Sequence, residues 1–215
     1  MNTSTLVHIP DGAAMIEGML EVPDHAIGLV LFAHGSGSSR HSPRNNYVAG
    51  VLREGGIGTL LMDLLTVEED SDYQTRFDIP LLTQRLAVAT AWLKEQAEMK
   101  ALPIGYFGAS TGAAAALQAA AKMGDAAAAV VSRGGRPDLA GEAALRQVVS
   151  PTLLLVGGWD DVVIKLNQSA YDVMSCEKKL SIIPGATHLF EEPGTLEEVA
   201  KQAAAWFTRH LGSGS

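Results

Sequence analysis

Residues 103–112 read PIGYFGASTG, an apolar run followed by the pattern G-x-S-x-G centred on Ser110. The run predicts a buried strand over 103–107, and the alanine-rich sequence after it predicts a helix over 111–123. A sharp turn between the two would lift the Ser110 hydroxyl clear of its neighbours, and the flanking glycines would let the backbone pass closely. The pattern is short enough to occur by chance, and an ordinary glycine-rich turn is the alternative explanation.

The same alternation of short apolar runs and amphipathic segments extends in both directions from this stretch. Further strands are predicted over 5–9, 15–22, 27–33, 57–62, 127–131, 152–156 and 179–183. Helices are predicted over 44–54, 80–99, 165–175 and 195–210, and the last of these begins with a predicted capping box at Thr195 and Glu198. Residues 63–78 are predicted to form an acidic loop, and 133–149 to contain a loop and a helix. This rhythm indicates the α/β class, with a mostly parallel central sheet and helices on both faces.

The composition excludes several classes of protein. The 215 residues include 24 acidic and 16 basic side chains, a formal net charge of −8 without a basic cluster, which argues against a nucleic-acid partner. The single cysteine, Cys176, excludes an internal disulfide and a cysteine-based zinc site. The N-terminal residues lack a secretory pattern, and the longest uncharged stretch, 101–121, is too broken by glycine and proline to span a membrane.

These observations lead to expectations about organisation and location. We expect one domain over residues 1–211, with 212–215 as a flexible tail or a cloning remnant. We expect a cytoplasmic protein that needs no metal or other cofactor and does not bind a membrane. The oligomeric state is left open, because the sequence carries no signal for it.

The residues that follow the predicted strands define a candidate site, because ligands bind beyond the carboxyl ends of parallel strands. Asp160 follows the strand 152–156, and His188 follows the strand 179–183. Taken singly, Asp160 is typical of a turn or a helix cap, and a loop histidine is usually only solvated. In chain order, however, Ser110, Asp160 and His188 have the nucleophile, acid and base sequence of α/β-hydrolases. Asp161 competes with Asp160 for the acid role.

A fourth element follows the strand 27–33, where the chain reads HGSGSS. Acyl transfer needs two backbone N–H groups to hold the developing oxyanion, and we assign this role to the amides of Ser36 and Thr111. A phosphate-binding loop is the alternative. It is disfavoured because the loop lacks both the G-x-x-x-x-G-K-[ST] and the G-x-G-x-x-G patterns.

Five segments together resemble the dienelactone hydrolase-like branch of the α/β-hydrolases. They are HGSGSSRHSPRN (34–45), GASTG (108–112), SRGGRPDLAG (132–141), VGGWD (156–160) and PGATHLFEEPG (184–194). The resemblance extends from about residue 15 to 210 and implies an α/β-hydrolase fold without a separate cap domain. It implies that Ser110 is the nucleophile, His188 the base and Asp160 the orienting acid.

One position departs from this family. True dienelactone hydrolases use a cysteine nucleophile, and here the position is Ser110. Cys176 lies in a segment far from any predicted strand end and cannot replace it. The departure favours a serine esterase acting on small or short-acyl carboxylic esters, with a small-molecule ester as partner. An acyltransferase or thioesterase using the same residues, or a non-catalytic small-molecule-binding protein, are the alternatives.

Several further residues are candidates for contact with the substrate. Arg133 and Arg136 follow the strand 127–131 and could bind a carboxylate or instead pair with Asp138 or Glu142, and the structural role is favoured. The same two roles are open to Arg40 and Arg44. Trp159 would line the pocket or pack in the core, and Asp63, after the strand 57–62, is expected to point toward the site.

Overall fold

Apolar side chains fill the central strands of the sheet. Every residue is buried in Leu29–Ala33, in Ile104–Ala109 and in Thr152–Gly157. Strands that are buried on both faces are typical of parallel sheets covered by helices. The computed structural model, which describes residues 4–212, has eight strands: β1 (Thr5–Asp11), β2 (Ala14–Glu21), β3 (Leu29–Ala33), β4 (Gly58–Met62), β5 (Ile104–Ala109), β6 (Ala127–Arg133), β7 (Thr152–Gly157) and β8 (Lys178–Ile183).

The strands form one sheet in the spatial order β1-β2-β4-β3-β5-β6-β7-β8. The pairs β1–β2 and β2–β4 are antiparallel, and the pairs from β4 through β3 to β8 are parallel. The carboxyl ends of β3, β5, β6, β7 and β8 therefore meet at one edge of the sheet. Ser110, Arg133, Asp160 and His188 lie at this edge, since each ends or follows one of these strands.

Helices cover both faces of the sheet and give each face its own apolar core. The α-helices of the described residues are α1 (Pro43–Glu54), α2 (Val67–Asp70), α3 (Ile79–Glu95), α4 (Thr111–Met123), α5 (Glu142–Gln147), α6 (Asp161–Val173) and α7 (Thr195–Leu211). Helices α1 and α7 bury side chains such as Leu52 and Phe207 against one face. Helices α3 to α6 cover the other, where Leu86 and the alanines of α4 pack closely because small side chains let a helix approach the sheet.

The predicted α/β alternation and the mostly parallel sheet are confirmed. The predicted acidic loop over 63–78 instead contains α2 and a 3₁₀ turn at Thr75–Phe77. A capping box starts α2: the Thr66 hydroxyl accepts the N–H of Glu69, and the Glu69 carboxylate accepts the N–H of Thr66. This pair satisfies two backbone N–H groups that a helix end leaves free, so a short helix forms where only a loop was expected.

The predicted capping box at Thr195 and Glu198 is wrong. Gly194, in the left-handed region, caps α7 without a side-chain bond, and Thr195 is already the first helical residue. The Thr195 hydroxyl donates to the carbonyl of Glu192 at 2.7 Å instead. The spacing of the two residues was right, but the helix begins one residue earlier than a capping box requires, so Thr195 is not the N-cap residue.

Two expectations concern the ends of the chain and its relation to membranes. Of the proposed tail 212–215, Gly212 follows directly on α7, and 213–215 lie outside the described residues. Within residues 4–212, no helix has the length and apolar character that crossing a membrane requires.

Candidate active site

Ser110 occupies a strained turn between β5 and α4. Its φ of +52° and ψ of −120° lie in a region that residues with a side chain rarely adopt, which costs about 1–3 kcal/mol. Backbone bonds hold it there: its N–H donates to the carbonyl of Arg133, and its carbonyl accepts the N–H groups of Ala113 and Arg136. The hydroxyl makes no capping bond to α4. It is therefore left available at the edge of the sheet.

The two glycines that flank Ser110 are required by close backbone approach. A Cβ at Gly112 would lie 2.1 Å from the carbonyl oxygen of Ala33, and a Cβ at Gly108 would lie 2.4 Å from the Cα of Ala113. Neither position leaves room for a side chain, since real Cβ atoms do not come within 3.0 Å of such neighbours. The G-x-S-x-G pattern is thus a packing requirement of the junction between β3, β5 and α4.

Asp160 and His188 meet at the same edge of the sheet. The Oδ2 atom of Asp160 lies 2.7 Å from Nδ1 of His188. Because a carboxylate only accepts hydrogen bonds, Nδ1 carries the hydrogen and Nε2 is left as the acceptor. Asp160 stands at the N-cap position of α6, but its side chain makes no capping bond, whereas Asp161 is exposed in the first turn. The geometry therefore pairs His188 with Asp160.

Several contacts that the sequence did not reveal fix the loop that carries His188. The Glu192 carboxylate accepts two hydrogen bonds from Thr187, one from the backbone N–H at 3.0 Å and one from the hydroxyl at 2.6 Å. These bonds from the Thr187 hydroxyl and N–H lower the pKa of Glu192. The aromatic ring of Phe190, whose φ is also positive, is buried just beyond the histidine. The only sequence signal for the hydrogen bonds between Thr187 and Glu192 was the segment PGATHLFEEPG itself.

The loop after β3 is fixed by a buried histidine. Nε2 of His34 accepts the N–H of Leu64 at 3.0 Å, so Nδ1 carries the hydrogen and donates to the carbonyl of Gly35 at 2.9 Å. Burial lowers the pKa of His34, which is consistent with this neutral form. The Gly35 backbone lies against the turn at Ser110, since a Cβ built at Gly35 would be 3.1 Å from Cβ of Ser110. Sequence reasoning did not identify this role of His34.

The predicted oxyanion donors lie beside the candidate nucleophile. Ser36 and Thr111 both line a cavity of about 290 Å³ that also contains Ser110 and His188, which we call the Ser110 pocket. Among residues 4–212, the N–H groups of Ser36 and Thr111 have no hydrogen-bond acceptor. Both amides are thus free to bind a group placed in this pocket.

Arg40 and Trp159, two of the candidates for contact with the substrate, do not line the Ser110 pocket. Arg40 pairs with the carboxylates of Asp63 and Glu17, and it lines a different, larger cavity of about 560 Å³. Trp159 is 69% exposed, so neither the pocket nor the core holds it. Asp63 also lines the larger cavity rather than the Ser110 pocket.

The arginines after β6 have different surroundings. Arg136 forms a bidentate ion pair with Asp138, from Nε to Oδ1 at 2.9 Å and from Nη2 to Oδ2 at 2.7 Å. This is the pairing that the structural alternative predicted. Arg133 pairs with neither Asp138 nor Glu142. It is buried in the wall of the Ser110 pocket, and its Nη2 lies 3.3 Å from Oδ1 of Asn45.

Comparison with known proteins identifies relatives of this chain. The model of the dienelactone hydrolase family matches residues 70–211, more than half of the chain. The crystal structure of a dienelactone hydrolase from Anabaena variabilis is 53% identical, with a TM-score of 0.94 over 98% of this chain and 99% of that one. Est1E from Butyrivibrio proteoclasticus shares the fold at 17% identity, with a TM-score of 0.83 over 98% of this chain and 100% of that one.

Curated relatives are found in two strains of Mycobacterium tuberculosis. Each is 58% identical to this chain over 205 residues, and each carries the provisional name phosphoribosyl transferase. The match covers 95% of this chain but 46% of each relative, so the chain spans about half the length of these proteins.

Proposed function

This chain belongs to the dienelactone hydrolase family, and from that premise we propose that it is a serine-dependent hydrolase of small carboxylic esters. The observation that carries the proposal is the hydrogen bond of 2.7 Å between Asp160 and His188. His188 lines the same pocket as Ser110, whose hydroxyl makes no capping bond to α4. A nucleophile, a base and a group that orients the base are the parts that acyl transfer requires.

In the proposed reaction, Ser110 attacks the ester carbonyl carbon while Nε2 of His188 takes the hydroxyl proton. The Asp160 carboxylate accepts from Nδ1–H, holds this tautomer and stabilises the imidazolium. The carbonyl oxygen becomes an oxyanion that the amides of Ser36 and Thr111 bind, with each donor lowering the barrier by about 3 kcal/mol.

The intermediate then breaks down in two steps. The imidazolium of His188 gives its proton to the departing alkoxide, so the alcohol leaves and the acyl group stays on Ser110. A water molecule attacks this acyl-enzyme with His188 again as base, and the acid is released. The pocket volume of about 290 Å³ favours small acyl groups.

Phosphoribosyl transfer, the activity in the name of the mycobacterial relatives, is not proposed for this chain. The match covers 46% of each of those relatives, so their name describes proteins of which this chain represents only about half. Transfer of the acyl group to an alcohol or amine uses the same first half-reaction. It would be recognised by product partition between water and an added nucleophile.

The experiment is hydrolysis of p-nitrophenyl esters from acetate to decanoate by the wild type and Ser110→Ala in parallel. We expect kcat/KM to peak at short acyl chains and turnover to disappear in the variant, which should keep the wild-type circular dichroism spectrum. Retained turnover in Ser110→Ala contradicts the assigned nucleophile. A preference for decanoate contradicts the small acyl pocket.

A further inference from the structure

Residues 133–136 read RGGR, and their backbone holds the turn that carries the candidate nucleophile. We call this stretch the RGGR segment. The carbonyl of Arg133 accepts the N–H of Ser110 at 3.2 Å, and the N–H of Arg136 donates to the carbonyl of Ser110 at 3.1 Å. A shift of the RGGR segment would therefore shift the Ser110 turn with it.

The same segment also lies against the candidate base. Gly134, with a φ of +51°, is so close to His188 that an added Cβ would lie 3.2 Å from the His188 carbonyl oxygen and 3.4 Å from Cε1 of its ring. The N–H of Gly134 donates to the carbonyl of Leu155, in β7, at 2.8 Å. Two groups therefore limit where the imidazole can lie, the Asp160 carboxylate and the Gly134 backbone.

A buried asparagine fastens the RGGR segment to a third element. Asn167 lies about two turns after Asp160 in α6 and is fully buried. Its Nδ2 donates to the carbonyl of Gly135 at 3.0 Å and to that of Val163 at 2.8 Å, while its Oδ1 has no partner among the described residues. Burying an amide in this way costs free energy that an apolar side chain would not. Within residues 4–212, the bond to Gly135 is the one side-chain hydrogen bond of Asn167 that leaves its own helix.

We propose that Asn167 is a positioning residue, which acts through the RGGR segment to fix the His188 ring at the distance from Ser110 that proton transfer requires. The proposal rests on the proposed function and concerns the geometry of that same site. Ser110 follows β5 and His188 follows β8, so no local stretch of sequence fixes their separation. The RGGR segment contacts both, and the bond from Asn167 ties it to the helix that has Asp160 at its N-cap. Because a base must lie within hydrogen-bond reach of its proton, a small displacement here slows the reaction and leaves substrate binding largely intact.

The first test removes the bond to Gly135 and compares it with an equivalent bond further along the connection from β6 to α5. Asn167→Leu and Gln118→Leu each remove two side-chain hydrogen bonds, and Gln118, in α4, donates to the carbonyl of Ala140 at 2.9 Å. For p-nitrophenyl acetate, we expect kcat to fall about tenfold in Asn167→Leu, the effect of a displacement of about half an ångström, and less than about twofold in Gln118→Leu.

The division of the effect between kcat and KM identifies a positioning role. KM should stay within about threefold, because acylation and deacylation both use His188 as base and slow together. Assays are run well below the melting temperature of both variants, with folding checked by circular dichroism. A purely structural Asn167 would lower the melting temperature and leave kcat unchanged, which overturns the proposal. An equal loss of kcat in Asn167→Leu and Gln118→Leu also overturns it.

A second pair of variants acts on the RGGR segment directly, and it decides the question if Asn167→Leu does not fold. Gly134→Ala and Gly124→Ala both place a side chain at a left-handed φ, +51° and +54°, so the strain in φ is matched. The methyl at Gly134 meets the His188 carbonyl, whereas the one at Gly124 has no neighbour within 4 Å. We expect kcat to fall about tenfold in Gly134→Ala and less than about twofold in Gly124→Ala. Equal kcat in the two variants overturns the proposal.

Nuclear magnetic resonance separates this proposal from the proposed function, because it needs no substrate. An Hα of Gly134 and Hε1 of His188 should give a nuclear Overhauser effect in the wild type, since the ring carbon Cε1 lies 3.4 Å from the Cβ position that this Hα approximates. The signal should weaken in Asn167→Leu and persist in Gln118→Leu. That result supports the positioning contact even if the wild type hydrolyses no ester. An unchanged signal in Asn167→Leu overturns the proposal even if esterase activity is found.

Discussion

Two cavities of this protein, the Ser110 pocket and the larger one lined by Asp63, differ in how their charged side chains are partnered. The larger one, about 560 Å³, is lined among others by Glu17, Arg40 and Asp63, and Arg40 forms ion pairs with both of these carboxylates. The Ser110 pocket is about half that volume, and it holds two unbonded backbone amides and an arginine without a counter-charge. A cavity whose polar groups are satisfied by the fold contributes to stability. One whose polar groups await a partner is the better candidate for binding and chemistry.

The largest expected effect separates the two cavities by activity. Ser110→Ala should lower kcat on a short ester by about 10⁶-fold, because no other group can form the acyl-enzyme. Asp63→Asn, in the larger cavity, should leave kcat within about twofold. Steady-state kinetics on p-nitrophenyl acetate, with equal folding checked by circular dichroism, measures both. A large loss of kcat in Asp63→Asn would place chemistry in the larger cavity and reverse the comparison.

The next effect concerns two adjacent carboxylates at the start of α6. Asp160→Asn should lower kcat by about 10⁴-fold, because an amide no longer holds the required tautomer of His188. Asp161→Asn, whose side chain is exposed in the same helical turn, should change kcat less than threefold. The same ester assay compares the two. An equal loss in both variants would mean that the charge of the helix terminus, and not the bond to His188, is what matters.

Loss of an arginine should destabilise the fold more at the larger cavity than at the Ser110 pocket. Arg40→Met leaves the carboxylates of Asp63 and Glu17 without their partner, so the free energy of unfolding should fall by about 1–3 kcal/mol. Arg133→Met removes a buried charge that has no carboxylate partner, so the loss should be under about 1 kcal/mol. Urea unfolding gives both values. A larger loss for Arg133→Met than for Arg40→Met would show that the fold itself already satisfies Arg133.

The smallest effect is a pH dependence of stability at the border of the Ser110 pocket. Burial lowers the pKa of His34 below its usual 6.5, so as the pH falls below 6.5 the unfolded chain binds a proton that the folded chain does not. The free energy of unfolding should therefore decrease as the pH falls below 6.5, with no contribution from His34 above it. His34→Gln should remove this part of the slope in urea titrations between pH 5 and pH 8. An unchanged slope would mean that His34 is protonated without cost in the fold.

The sequence determined the fold class and the order of the candidate reactive residues. Periodicity reports which face of a segment is apolar, and this local information was enough to predict a mostly parallel sheet covered on both faces. The G-x-S-x-G pattern was equally informative. Its glycines are required because the backbone of the turn itself and of the neighbouring strand leaves no room for a Cβ atom. In such a sheet, the positions after successive strands must meet at one edge.

Only the tertiary structure decided which side chains are partnered. Arg40, Arg133 and Arg136 have the same chemistry and similar predicted positions. Arg40 pairs with Asp63 and Glu17, and Arg136 pairs with Asp138. Arg133 keeps two donors without a partner among the described residues. Pairing depends on distances of a few ångströms between elements far apart in the chain, and on whether a carboxylate has already been taken by a neighbour. Neither spacing nor composition contains that information, so the charge of the Ser110 pocket emerges only when the sheet, α1 and the loops are assembled.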